Sequence, residues 1–137
     1  MKFGVNLINF GPSDAALRRA VRYGDGWHPN RVHWLSSTGL PRLRQIADAE
    51  GRPVPALCPR IRLRLTDVLL PDDQRLAGEG TLAQVRAGLG ALQRMGARYV
   101  LDTFYDDVEA TRHPEVSWGM LMTLAEKVLD LAHEALR

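Results

Sequence analysis

The sequence predicts an α/β fold built as a (βα)4 half of a TIM-type barrel, in which four parallel strands alternate with four helices. Two observations carry this prediction. Strand-like and helix-like apolar patterns alternate along the chain in the order β-α-β-α-β-α-β-α, and such alternation implies parallel strands joined by right-handed crossovers. The length of 137 residues is near half of the roughly 250 residues that a complete barrel needs. We therefore expect one domain over residues 1–137.

The first βα unit starts at the N-terminus. Residues 2–10 (KFGVNLINF) are apolar and rich in strand-forming side chains, and Gly11-Pro12 ends the strand. Ser13 is a good N-cap, and residues 15–23 place their apolar side chains on one helical face. The pattern predicts a strand, a tight turn and a helix.

The second and third units follow the same order. Residues 25–29 (DGWHP) are a short strand candidate, and residues 40–50 have helical apolar spacing that ends at Gly51. Residues 54–66 contain the clearest strand. There, three aliphatic residues alternate strictly with three arginines, namely Ile61, Leu63 and Leu65 with Arg60, Arg62 and Arg64.

A helix that follows a loop at residues 70–80 completes the third unit. Thr81 is the N-cap of a helix whose apolar pattern runs to Met95. Gly88 and Gly90 interrupt this helix, and each costs about 1 kcal/mol relative to alanine. We expect these glycines to allow close packing against a neighbour.

The chain ends with a strand and a helix. Residues 98–104 (RYVLDTF) predict the last strand, and residues 105–115 are polar and loop-like. Residues 117–136 carry one apolar stripe at helical spacing and predict the last helix.

Composition excludes several classes of protein. The net charge is +2, acids nearly balance bases, and no basic run exceeds two residues, so nucleic-acid binding is not expected. The lone cysteine, Cys58, excludes an internal disulfide. No apolar stretch approaches the roughly 18 residues of a membrane span, and no signal-peptide pattern opens the chain. We expect a cytoplasmic protein.

Several segments resemble the bacterial luciferase-like monooxygenase family, whose members are (βα)8 barrels that use reduced flavin or the deazaflavin F420. The opening MKFGVNLINFGP resembles the first strand of that family. GPSDAALRRAVRYGDGWHP resembles the stretch that leads into its sixth strand, and PRIRLRLTD resembles its seventh strand. GTLAQVRAGLGALQRMGARYVLDTF resembles its seventh helix and eighth strand. Everything between the family's first strand and fifth helix is absent.

The resemblance implies a flavin- or F420-dependent oxidoreductase of the monooxygenase type, with FMN or F420 as cofactor. It also implies half a barrel, which would leave two unpaired strand edges. A two-fold homodimer would pair both edges and close an eight-stranded ring. The alternative is an open sheet with helices on both faces, in the manner of a flavodoxin-like nucleotide binder.

The predicted site lies at the carboxyl ends of the strands, where ligands gather in parallel α/β proteins. Asn9 ends the first strand, and the turn at Gly11 and Ser13 resembles the family's phosphate-binding turn, although a simple N-cap is the alternative. Trp27 could stack on a cofactor ring or fill the core. These are the expected cofactor contacts, together with Arg62.

Two residues are candidates for proton transfer. His28 stands at the end of the second strand and has a suitable side chain, and Asp102 is an acid/base candidate by position. The three arginines at 60, 62 and 64 either bind an anionic cofactor tail or form structural ion pairs with carboxylates such as Asp102. No metal site is expected, and Cys58 is interpreted as a small buried residue. The alternative function is a non-catalytic dimeric scaffold, or a protein that binds a small anion or a partner.

Overall fold

A computed structural model of the protein describes residues 13–29, 38–73, 75–98, 100–102, 113–130, 132–133 and 135–136. Over these residues the chain is a small α/β protein with four helices and eight strands of two residues each. The α/β class is therefore confirmed. The predicted (βα)4 half of a TIM-type barrel is wrong, because the strands that the structure describes pair only into two-stranded sheets. The eight-stranded ring predicted from two such half-barrels is wrong with it, whereas homodimerisation itself stays a prediction.

The contacts divide the chain into two compact units. The first comprises Met1–Arg60 and Met95–Leu101, and the second comprises Ile61–Arg94 and Asp102–Arg137. The single domain predicted over residues 1–137 stays a prediction. The predicted first strand, residues 2–10, lies outside the described residues.

The core of the first unit is made by two helices. Helix α1 (Asp14–Tyr23) begins where the Ser13 hydroxyl accepts the Ala16 N–H at 3.4 Å, as predicted for an N-cap. Helix α2 (Leu40–Ala49) has a proline in its first turn, where the missing N–H costs nothing. The helices pack through their apolar faces, which are formed by Ala16, Leu17, Ala20, Val21, Leu40, Leu43, Ile46 and Ala47.

Two ion pairs join the ends of these helices. Arg42 pairs with Asp14 near the start of α1, and Arg22 contacts Glu50 at 2.7 Å near its end. Hydrogen bonds from the two guanidinium groups lower the pKa of both carboxyls. Exposed pairs of this kind contribute little stability, so apolar packing is the main force that holds α1 to α2.

Strands β1 (Gly26–Trp27) and β2 (Ala56–Leu57) lie beside the helical core and pair in parallel. Strand β3 (Arg60–Ile61) follows, and it pairs with Leu101–Asp102, the sixth strand. The single strand predicted over residues 54–66 is therefore broken into pieces with different partners. One reason is Pro59, which has no N–H to donate to a ladder.

The second unit contains strands β4 (Arg64–Leu65) and β5 (Glu79–Gly80), which are parallel, and helix α3 (Leu82–Arg94). A capping box starts α3. The Gln84 N–H donates to the Thr81 hydroxyl at 3.4 Å, and the Gln84 carboxamide oxygen accepts the Thr81 N–H at 3.2 Å. Thr81 is thus confirmed as the N-cap.

The C-terminal segment differs from its prediction. After strand β6 (Leu101–Asp102), helix α4 spans Pro114–Lys127, and an antiparallel pair of strands, β7 (Leu129–Asp130) and β8 (Ala135–Leu136), replaces its predicted end. The Asp130 carboxylate contacts both the backbone N–H of His133 at 3.3 Å and its Nδ1 at 2.9 Å. Such local side-chain bonds compete with the helix and favour a turn.

The two glycines of α3 differ in what surrounds them, and this difference yields a prediction. A methyl group at Gly88 would lie 2.9 Å from both Cα and the carbonyl carbon of Ala77, whereas one at Gly90 would meet only ordinary contacts of 3.4 Å and more. We expect Gly88→Ala to lower the free energy of unfolding by about 1–3 kcal/mol. Gly90→Ala should raise it by up to about 1 kcal/mol through helix propensity. Urea unfolding of both variants tests this, and stabilisation by both would contradict the packing described.

Candidate functional site

The candidate site is built on a parallel backbone ladder in the first unit. The N–H groups of Ala56, Cys58 and Arg60 donate to the carbonyls of Asp25, Trp27 and Pro29, at 2.9, 2.8 and 3.0 Å. The pairing therefore continues past β1 and β2 in both chain segments. On the other side of β2, the Arg98 N–H donates to the Leu57 carbonyl at 3.0 Å. Because side chains alternate along such a ladder, it has two distinct faces.

One face is apolar and packs on the helices. Trp27 and Leu57 are in register and belong to the same core cluster as the buried side chains of α1 and α2. Trp27 is only 5% exposed. The tryptophan therefore fills the core, which was one of its two predicted roles.

The opposite face, called here the polar face, carries Gly26, His28, Cys58 and Arg60. A methyl group at Gly26 would lie 3.4 Å from Cys58 Sγ and 3.8 Å from His28 Nε2. These distances bring the thiol and the imidazole to the same small space beside Gly26. Alternation from Cys58 places Arg60 on this face as well.

Two nitrogens of the polar face are buried without a hydrogen-bond partner. They are Nδ1 of His28 and Nε of Arg60, and neither has a partner among the described residues. A buried polar group left unsatisfied costs about 1–3 kcal/mol, and such groups are rare in folded proteins. Ser117 Oγ is a third atom of this kind, but it belongs to α4 in the second unit.

Cys58 contributes a neutral thiol to this face. Its Sγ donates weakly to the Ala56 carbonyl at 3.5 Å, and burial raises the pKa of the thiol. A protonated thiol is a poor nucleophile. The cysteine is buried, as the sequence predicted.

The other predicted site residues are engaged elsewhere or lie outside the described part of the chain. The hydroxyl of Ser13 caps α1. Arg62 pairs with Glu79 in the second unit, with its Nε at 2.6 Å from the carboxylate. Asp102 is described only as a residue of β6. Asn9 and Gly11 lie outside the described residues.

These placements bear on the flavin or F420 cofactor that the resemblance implied. The ring of Trp27 is covered by α1 and α2, and the guanidinium of Arg62 is bound to a buried carboxylate. As placed here, neither side chain fits a flavin. Among the predicted site residues whose side chains the structure describes, His28 alone lies on the polar face. Arg60, on the same face, was predicted only together with Arg62 and Arg64, either to bind an anionic cofactor tail or to form structural ion pairs.

Comparison of the chain with protein-family models, with curated proteins and with solved structures gives no match. The resemblance to luciferase-like monooxygenases therefore stays a prediction. In the part of the chain that the structure describes, no helix is long and apolar enough to cross a membrane. The same part contains no cluster of three or more metal-ligating side chains.

The pairing of Arg62 with Glu79 predicts a structural role for this arginine. Glu79 is almost fully buried and also accepts the Leu76 N–H at 2.9 Å. Arg62→Met leaves the carboxylate unpaired and should lower the free energy of unfolding by about 3 kcal/mol. Adding Glu79→Met to this variant should recover most of the lost free energy of unfolding. The control Arg64→Met, at an exposed position, should leave the free energy of unfolding nearly unchanged. Urea unfolding measures all three. If Arg62→Met proved as stable as the wild type, the ion pair would not be structural.

Proposed function

We propose that this protein binds a small anion on the polar face, through His28 and Arg60. The observation that supports the proposal is the pair of buried nitrogens, Nδ1 of His28 and Nε of Arg60, that have no partner among the described residues. An arginine Nε always carries a hydrogen, and a protonated imidazole Nδ1 does too. Oxygen atoms of one anion could accept both hydrogen bonds and neutralise the guanidinium charge.

The position of the two donors supports the same proposal. His28 directly follows β1, and Arg60 lies three residues after the end of β2, where its N–H donates to the Pro29 carbonyl. Both therefore lie at the carboxyl ends of parallel strands, where α/β proteins bind their ligands. This placement holds for a single parallel pair and does not require a barrel.

The anion is expected to be a phosphate or a carboxylate, because both offer oxygens that a guanidinium binds in its plane. Cys58 is uncharged beside these donors and does not repel an anion. FMN and F420 both carry phosphate groups, so the cofactors suggested by the resemblance are among the anions to test. Oxidoreductase activity stays a prediction from the resemblance alone, since no described side chain supports it.

Calorimetric titration tests the proposal with inorganic phosphate, acetate, FMN and F420 as separate ligands. Wild-type protein should bind at least one of them. Arg60→Met removes one charge-assisted hydrogen bond, which is worth about 1.5–3 kcal/mol, so affinity should fall by about tenfold or more. Arg98→Met alters an exposed arginine of the same unit and serves as the matched control.

Stability in the absence of anion gives a second readout. Arg60→Met removes a buried donor that lacks a partner, so its free energy of unfolding in anion-free buffer should equal or exceed that of wild type. In saturating phosphate the wild type should become the more stable protein, because a ligand stabilises the state that binds it. Absence of binding by wild type, or equal binding by Arg60→Met, would refute the proposal.

A further inference from the structure

The segment that connects β4 to β5 has an unusual surface. Parallel strands need a crossover of about a dozen residues, which is usually a helix packed on the sheet. Here residues 66–78 make the crossover, and those of them that the structure describes contain no helix. Helical packing therefore does not bury all of its apolar side chains, and some of them stay outside a core.

Side-chain hydrogen bonds hold the crossover in one shape. The carboxamide of Gln84, which is buried, accepts the Leu70 N–H at 3.1 Å and donates to the Leu70 carbonyl at 2.7 Å. The Thr66 hydroxyl donates to the Val68 carbonyl at 2.8 Å, and Arg75 donates to Asp72 at 2.6 Å. The crossover is thus fixed on both sides of residues 68 and 69.

This fixed crossover exposes an apolar pair among carboxylates. Val68 and Leu69 are 71% and 72% exposed, and Asp67, Asp72 and Asp73 are exposed around them. We call residues 67–73 the acidic tip. Contiguous apolar patches that are rimmed by polar residues mark interaction surfaces, and Val68 and Leu69 form the apolar part of such an arrangement.

The charge of the tip selects its partner. Asp72 is paired with Arg75, but the carboxylates of Asp67 and Asp73 disfavour contact with anionic lipid or nucleic acid, because both are negatively charged. They favour a protein surface on which cationic side chains surround an apolar group.

A second copy of this chain offers such a surface. On the outer side of α1, Arg18 and Arg19 are exposed and have no ion pair among the described residues, and Tyr23 is 74% exposed. Arg19 and Tyr23 are four residues apart on the helix and therefore adjacent. The aromatic ring and the two guanidinium groups form a patch of opposite charge to the tip.

We propose that the protein associates with itself through this contact, with the acidic tip of one copy on the Arg19–Tyr23 patch of another. The contact is small and partly electrostatic, so the association is weak and is reduced by salt. It is independent of the eight-stranded ring expected from the sequence, and it does not depend on anion binding.

Sedimentation equilibrium over a range of concentrations tests the proposal. At low salt, the mass-average molecular mass of the wild type should rise with concentration above that of one chain. The double variant Val68→Ser with Leu69→Ser should abolish this rise in molecular mass. It should not unfold the protein, since both side chains are exposed. The matched control, Val116→Ser with Met122→Ser, changes two exposed apolar side chains of α4 and should leave the rise intact.

Charge reversal identifies the two surfaces. Two variants are made, the single variant Arg19→Glu and the double variant Asp67→Arg with Asp73→Arg. Each should stay a single chain by itself. An equimolar mixture of these two proteins should associate again, because the reversed charges attract each other. A wild type that stays a single chain at every concentration would overturn the proposal. The proposal would also be overturned if only the α4 variant abolished association, or if the mixture of the two charge-reversed proteins failed to associate.

Discussion

The backbone ladder between residues 25–29 and residues 56–60 is the constraint on which the first unit depends. Its alternation directs Trp27 and Leu57 into the helical core and directs His28, Cys58 and Arg60 to the other side. A shift of one residue in its register would exchange these faces and expose the core side chains. Apolar packing on α1 and α2 therefore fixes where the polar groups lie, even though those groups are not part of the apolar cluster around the two helices.

The buried polar groups of the protein differ in whether they have hydrogen-bond partners. In the second unit, the carboxylate of Glu79 accepts bonds from Arg62 and from the Leu76 N–H, and both ends of the Gln84 carboxamide are bonded. These groups are satisfied and hold the chain in place. In the first unit, nitrogens of His28 and Arg60 have no described partner. Groups that only stabilise a fold are normally satisfied, so the unsatisfied pair is the feature that calls for a ligand.

The sequence predicted the helices well, because the apolar repeat that indicates a helix lies within the residues of that helix. The bounds of α1, α2 and α3 follow the predicted ones within a residue or two, because each helix carries its own apolar stripe and because side chains cap the starts of α1 and α3. The strands could not be predicted in the same way. Alternation along residues 54–66 indicates faces but not partners, and here each short piece pairs with a different part of the chain. The role of Arg60 depends on pairing with Pro29, which is a contact distant in sequence. Arg62 looked equivalent to it, yet it pairs with Glu79, which carried no recognisable signal.

The side-chain Nε–H of an arginine gives its own signal in nitrogen–proton correlation spectra, so NMR can observe the proposed site directly. With phosphate, the Nε–H signal of Arg60 should shift and its exchange with water should slow, because the hydrogen becomes bonded to an anion. The Nε–H signal of Arg62, already bonded to Glu79 at 2.6 Å, should stay where it is. An Arg60 signal unchanged at phosphate concentrations that shift other signals would contradict anion binding at the polar face.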